Sequence, residues 1–266
     1  ISDSTIWGFT HTHLSGTGIG DLLDIAFMPV VGDVTLGKGV ISDPNSGMYS
    51  LFNRNSETVK AGYYAVHLDR YNVEVELTAT KRVGFHKYTF PKSNEAKIVI
   101  DLKSKLNWDD PTDTYLVYEN DTTISGYRFS KGWANDQRVF FTAQFSKPMK
   151  KFLLSENEDG KVAKEVTELK AKGIYGQALF DTKAKEDIYI KVALSPVSIE
   201  NAKLNMQTEL SGWDFQKTII DADKAWNEEL NKIQIDVNDD KVKRTFYTAL
   251  YHTIIAPSEF CDVNND

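Results

Sequence analysis

The sequence predicts a mainly β fold, a large antiparallel β-sandwich followed by linking helices. Three observations carry this expectation. Short runs of alternating apolar and polar residues fill about the first two-thirds of the chain, turn-forming clusters separate them, and after Pro196 the apolar period lengthens to that of an α-helix. Strands alternating with helices, which would argue for an α/β fold, do not occur in the pattern.

The chain opens Ile1-Ser2-Asp3-Ser4-Thr5-Ile6-Trp7-Gly8-Phe9, which reads as mid-strand, and residues 21–30 read as a further strand. Residues 73–80 give the clearest case. Val73, Val75, Leu77 and Ala79 share one face, while Glu74, Glu76, Thr78 and Thr80 share the other. A period of two buries one side of a strand and wets the other. Strands are expected likewise over 82–90, 96–102, 115–118, 122–129, 138–145, 151–154, 175–180 and 187–194. Between them lie the turn signals Pro91-Lys92-Ser93-Asn94, Asp109-Asp110-Pro111, Glu119-Asn120-Asp121 and Glu158-Asp159-Gly160. A short helix is predicted over 198–209. Phe215, Ile219, Ala222, Trp226, Leu230 and Ile233 then mark one face of a second, with Ser211 and Asp214 as N-cap candidates. A third is predicted over 239–256: Asp239 and Asp240 suit its positive N-terminus, Val242, Phe246, Ala249 and Thr253 share a face, and Pro257 stops it. The organisation is therefore a sandwich over 1–197, a helical linker over 198–236 and the start of an all-α unit over 237–266.

The chain has 266 residues, 41% of them hydrophobic, and a net charge of −7. Size and composition suffice for a full core. There is no basic stripe for nucleic acid and no apolar run long enough to span a membrane. The one cysteine, Cys261, excludes an internal disulfide and fits a cytosolic or a disulfide-free exported protein equally. Both ends read as cuts: Ile1 is not Met, and Asp262-Val263-Asn264-Asn265-Asp266 follows directly on a helix.

The most unusual segment is Gly8-Phe9-Thr10-His11-Thr12-His13-Leu14-Ser15-Gly16-Thr17-Gly18-Ile19-Gly20-Asp21. Its glycines allow close backbone approach and suit either a loop that faces a sugar or partner domain, or a plain bend between strands. His11 and His13 fall on one face of an extended segment, but no further ligands stand at zinc-site spacing. One of them is expected to hydrogen-bond beside a site and the other to pack. The loop lacks the pattern of a dinucleotide fingerprint, a P-loop or a nucleophile elbow. Among the tryptophans, Trp226 belongs to a helix's apolar face, and Trp133, in Gly132-Trp133-Ala134-Asn135-Asp136, is the candidate sugar-stacking residue. No carboxylate pair stands out as acid and base.

Four segments together resemble glycoside hydrolase family 92. The first is Asp3-Ser4-Thr5-Ile6 with Gly8-Phe9-Thr10-His11-Thr12-His13-Leu14-Ser15-Gly16-Thr17-Gly18, Gly20-Asp21 and Met28-Pro29. The second is Ala61-Gly62-Tyr63-Tyr64-Ala65-Val66 with Glu76-Leu77-Thr78-Ala79-Thr80 and Arg82. Phe145-Ser146-Lys147-Pro148 follows, and the last is Phe246-Tyr247-Thr248-Ala249-Leu250-Tyr251-His252-Thr253 with Ala256-Pro257 and Asp262-Val263. The resemblance implies a β-sandwich, a helical linker and the first helix of an (α/α)6 barrel. It also implies a calcium-dependent, inverting exo-α-mannosidase, exported to the periplasm or surface of a glycan-foraging bacterium. It places the catalytic acid, the base and most calcium ligands in barrel sequence outside this chain. Carried over residue by residue, it implies that His13, Ser15 and Gly16 face the sugar from the sandwich side and that Asp262 approaches it from the helical side. The glycine-rich stretch that usually follows in the family is replaced here by Asn264-Asn265-Asp266. The expected partners are mannose-containing glycans and the remaining catalytic domain. A carbohydrate-binding module without catalysis and a purely structural sandwich stand as rival readings.

Overall fold

The computed structural model describes residues 5–13, 22–43, 45–156, 165–256 and 259–266. Among these, the strands in chain order are β1 (Thr5–Ile6), β2 (Ala26–Val31), β3 (Ser50–Leu51), β4 (Thr58–Lys60), β5 (Tyr63–Leu68), β6 (Val73–Ala79), β7 (Val83–Phe90) and β8 (Ser93–Asp101). They continue with β9 (Asp110–Asn120), β10 (Thr123–Lys131), β11 (Gln137–Phe145), β12 (Lys151–Ser155), β13 (Glu168–Ala171), β14 (Tyr175–Thr182) and β15 (Glu186–Ser195). The helices are α1 (Ile199–Glu209), α2 (Phe215–Leu230) and α3 (Asp240–Ile254).

A nine-stranded antiparallel sheet, ordered β13-β9-β10-β11-β15-β7-β6-β5-β4, faces a four-stranded sheet ordered β12-β14-β8-β2. The predicted sandwich is therefore present. Its core is the inward set of both sheets, with Val73, Val75, Tyr88, Phe90, Phe141 and Phe145 from the large sheet against Phe27, Ile98, Ile100, Phe152 and Phe180 from the small one. Alternation serves β6 and β7 well, because one side of each faces this core. It fails in β2, where five of six residues are buried and no polar face exists. Leu36, Met48 and Phe52, from the segment after β2, join the same core.

The outer face of the large sheet is partly covered by the chain's own helices. Ser198 caps α1 by accepting from the Asn201 N–H, and α1 lies over β15 and β11. Asp214 caps α2 by accepting from the Lys217 N–H, and α2 lies over β5 and β6. Met206, Leu210, Phe215 and Ile219 bury there against Val83, Phe85 and Ala193, a second and smaller core. Asp239 caps α3, as the sequence predicts, by accepting from the Lys241 and Val242 N–H groups. The face predicted for α3 is not buried: Val242 is 49% exposed and no residue of the helix is buried.

Candidate functional site

The site lies at the end of the sandwich where β7 and β11 begin and β15 ends. A cleft of about 400 Å³ opens there. Phe9 to His13 and Leu22 form one wall, the β6–β7 turn (Thr80, Lys81, Arg82) another, and Glu259 to Asp262 a third. His13 and Asp262, far apart in sequence, thus line one cavity. Ser15 and Gly16 lie outside the described residues.

The His-bearing wall is not a regular strand. Phe9 bridges Phe27 and His13 bridges Leu22, and between them the backbone is held by individual bonds. Leu22, Leu23 and Ile25 all have positive φ (66°, 66° and 56°). For branched side chains this conformation is costly and persists where surrounding contacts over-determine it. Here the contacts centre on Asp24, which is fully buried. Thr12 Oγ1 donates to Asp24 Oδ2 at 2.7 Å, and the Asp24 N–H donates back to Thr12 Oγ1 at 2.8 Å. The other carboxylate oxygen meets the guanidinium of Arg128, itself fully buried. Arg128 also reaches Asp109 Oδ2 at 2.9 Å, an ion-pair contact without hydrogen-bond alignment. Burial raises the pKa of Asp24 while the charge of Arg128 opposes the rise. Breaking such a buried pair by removing one partner typically costs about 3–5 kcal/mol. Arg128 is thus the hub that fixes the His13 segment, through Asp24, and the loop ahead of β9, through Asp109.

His11 and His86 form the cleft's floor. His11 Nδ1 lies 2.6 Å from the Ile25 carbonyl oxygen, His11 Nε2 lies 2.8 Å from His86 Nε2, and His86 Nδ1 lies 2.7 Å from the Tyr88 hydroxyl. The carbonyl can only accept, so the His11 proton sits on Nδ1 and its Nε2 accepts. His86 therefore donates from Nε2, and its Nδ1 accepts from Tyr88. Desolvation holds both rings neutral: it lowers His11 to about 4 despite the bond to Ile25, and His86 well below its ordinary value with help from His11. Of the two histidines considered from sequence, His11 is the one wired into the fold, and His13 is exposed at the cleft. His86 was not among the residues singled out. Its strand position is legible, but its pairing with a residue 75 positions away is not.

The third wall is clamped by side chains. Asp262 is 1% exposed. Its carboxylate accepts from Ser195 Oγ (2.6 Å), Asn201 Nδ2 (2.8 Å) and Asn205 Nδ2 (2.6 Å). Asp262 thus fastens the closing turn to β15 and α1, and a sugar hydroxyl at this carboxylate would share it with three donors. Arg82 does the same from the sheet, donating to the Cys261 carbonyl at 2.7 Å and to Glu209 Oε1 at 2.7 Å. The bond to Glu209 is the main cause of its raised pKa. Glu259 pairs with Lys81 at 3.3 Å and with Arg82 at 3.5 Å. Among the described residues, the carboxylates lining the cleft are Glu259 and Asp262, and both are engaged.

The architecture and cleft define the sandwich side of a two-part carbohydrate-active protein, in which strands supply a wall and a helical unit begins beside it. Comparison with known families makes this specific. The glycosyl hydrolase family 92 N-terminal domain matches residues 1–195, the family's catalytic domain matches residues 201–266, and the chain belongs to this family. The catalytic-domain match takes in α1 and α2, read from sequence as a linker. A family GH92 alpha-mannosidase from Bacteroides thetaiotaomicron superposes with a TM-score of 0.91 at 36% identity, covering 97% of this chain and 35% of that one. A family GH92 inverting mannosidase from the same organism superposes at 0.82 with 23% identity, over 100% of this chain and 34% of that one, a likeness of fold. An uncharacterized secreted glycosidase of Arthroderma benhamiae is 26% identical over 98% of this chain and 36% of its own length. The chain therefore spans about a third of the relatives it matches.

Proposed function

We propose that the chain is the N-terminal part of an exo-acting, inverting α-mannosidase that removes terminal α-linked mannose from glycans. The observation that supports it is the shared cleft: a segment of the sandwich and the turn that follows the helices close on one cavity, His13 on one side and Asp262 on the other. His13, with Ser15 and Gly16 in the adjoining loop, contacts the sugar from the sandwich. Asp262 sets the opposite wall and contributes whatever acceptor capacity its three donors leave. Inversion needs one carboxylic acid to protonate the leaving oxygen and one carboxylate to activate water on the other face. Glu259 and Asp262 are already paired, so these roles belong to the part of the catalytic domain that this chain does not span. The chain alone is inactive. Calcium is proposed for the longer protein. The residues described here do not fit it, because no group of three or more His, Cys, Asp or Glu side chains is gathered to hold a metal ion, and no step is assigned to it here. Export to a bacterial periplasm or surface accords with the secreted fungal relative, and no described helix is long and apolar enough to cross a membrane.

The test uses an aryl α-mannoside. The longer protein should hydrolyse it and this chain should not. His13→Ala in the longer protein should lower kcat/KM by at least about tenfold with an unchanged melting temperature. Turnover by the chain alone, or full activity of the variant, refutes the assignment of roles.

A further inference from the structure

Trp108 and Trp133 are the two tryptophans least accounted for by packing. They are 47% and 59% exposed, and exposed large rings are costly to leave without a purpose. Their centroids stand 6.0 Å apart with the planes inclined at 64°, so the pair forms an open angle rather than a closed stack. The fold enforces the pairing. Trp108 precedes β9 and Trp133 sits in the β10–β11 turn, and Lys131 opposite Asp110 ends the ladder between them. Gly132 lets the two loops touch, since a Cβ there would stand 3.0 Å from Asp109 Cα. Asp109 is in turn held by Arg128, the hub that also fixes the His13 wall.

The pair is continuous with the cleft. Arg138 lines the cleft and pairs with Asp136 at 2.9 Å, in the same turn as Trp133. On the other side Lys105 pairs with Asp110 at 2.6 Å, beside Trp108. Exposed indole faces rimmed by solvent-facing donors and acceptors are the chemistry that recognises a pyranose: ring C–H groups against the aromatic face, hydroxyls to the charged rim. A polypeptide would not call for paired charges at the rim in this way. We infer that Trp108 and Trp133 form an accessory sugar-binding subsite that holds a further residue of a mannose-containing glycan whose end enters the cleft. The inference rests on the glycan reading of the cleft, and its test is independent of catalysis.

The isotope-labelled chain is titrated with α-linked mannotriose, and the indole N–H signals are followed by NMR. The signals lost in Trp108→Ala and in Trp133→Ala identify the pair, and these two should shift. Each substitution should weaken binding by about tenfold or more while the melting temperature stays within about two degrees. Mannotriose that moves neither indole, or variants that bind as tightly as the original, overturns the subsite. So does a longer protein in which both indoles are already shielded before sugar is added, since a polypeptide then covers them. Failure of mannoside hydrolysis by the longer protein, with binding at the pair intact, would instead strike the catalytic reading alone.

Discussion

A proton added to His11 or His86 would break the hydrogen-bond chain under the cleft, because each nitrogen there already has a fixed role as donor or acceptor. In the unfolded chain a histidine titrates at its ordinary value of 6.5, while folded His11 is lowered to about 4. The unfolded state therefore takes up the proton first as pH falls. Stability from this ring is complete above pH 6.5 and is lost progressively down to about 4. At about pH 5 the loss from His11 alone is roughly 2 kcal/mol, and His86, lowered in the same direction, adds to it. Denaturant titrations at about pH 7.5 and about pH 5 should show this fall. Replacing both residues with Gln should flatten it, and a slope that survives in the double variant rules the pair out as its source. A similar wiring explains what was hidden in the sequence. His11 and His13 look equivalent two residues apart, but only the fold shows that one faces Ile25 and His86 and the other the cleft. Likewise Asp262 carries no sequence mark of its three donors, which come from a strand end and the inner side of α1.

The elements were legible where one face is wet. β6, β7, β11 and β15 fall within a residue or so of expectation, and Ser198, Asp214 and Asp239 are the caps of the three helices. Asp109-Asp110-Pro111 misled as a turn, because β9 begins at Asp110. Pro111 is tolerated there because β13 pairs only with residues 114–117 of β9 and the ladder to β10 slips between Phe129 and Ser130, leaving an edge with a bulge. Residues 63–68, Tyr-Tyr-Ala-Val-His-Leu, gave no clean period and still form β5. Helix α3 carries the opposite lesson. Its periodicity is real, but its 15 residues bury nothing, and its ring contact to α2 is Tyr251 against Trp226 at 4.8 Å. A helix of that length is marginal without packing. Amide hydrogen exchange should therefore be much faster in α3 than in α1, which packs on β15 and β11. In the longer protein α3 should become protected. Protection of α3 equal to that of α1 in this chain would show that its own contacts suffice.

At the scale of the whole molecule the charges divide into those that build the sandwich and those that the longer protein must supply. The buried Asp24 and Asp109 are matched to Arg128, and Asp101 accepts from the Lys103 and Ser104 N–H groups. At the cleft, Glu259 is matched to Lys81 and Arg82, and Asp262 to its three donors. Hard-cation binding needs six or so oxygen ligands converging on one point, and the described carboxylates are instead consumed pairwise by cations and amides. Chelation should then separate the two parts. A calcium chelator should leave the melting temperature of this chain unchanged, because nothing in its described structure draws on a metal. The same treatment of the longer protein should abolish mannoside hydrolysis, with recovery on adding calcium back, and leave the mannotriose-induced shifts at Trp108 and Trp133 in place. A chain whose melting temperature falls with chelator would mean that a cation helps hold the sandwich itself, and the division of labour between the sandwich and the helical domain would have to be redrawn.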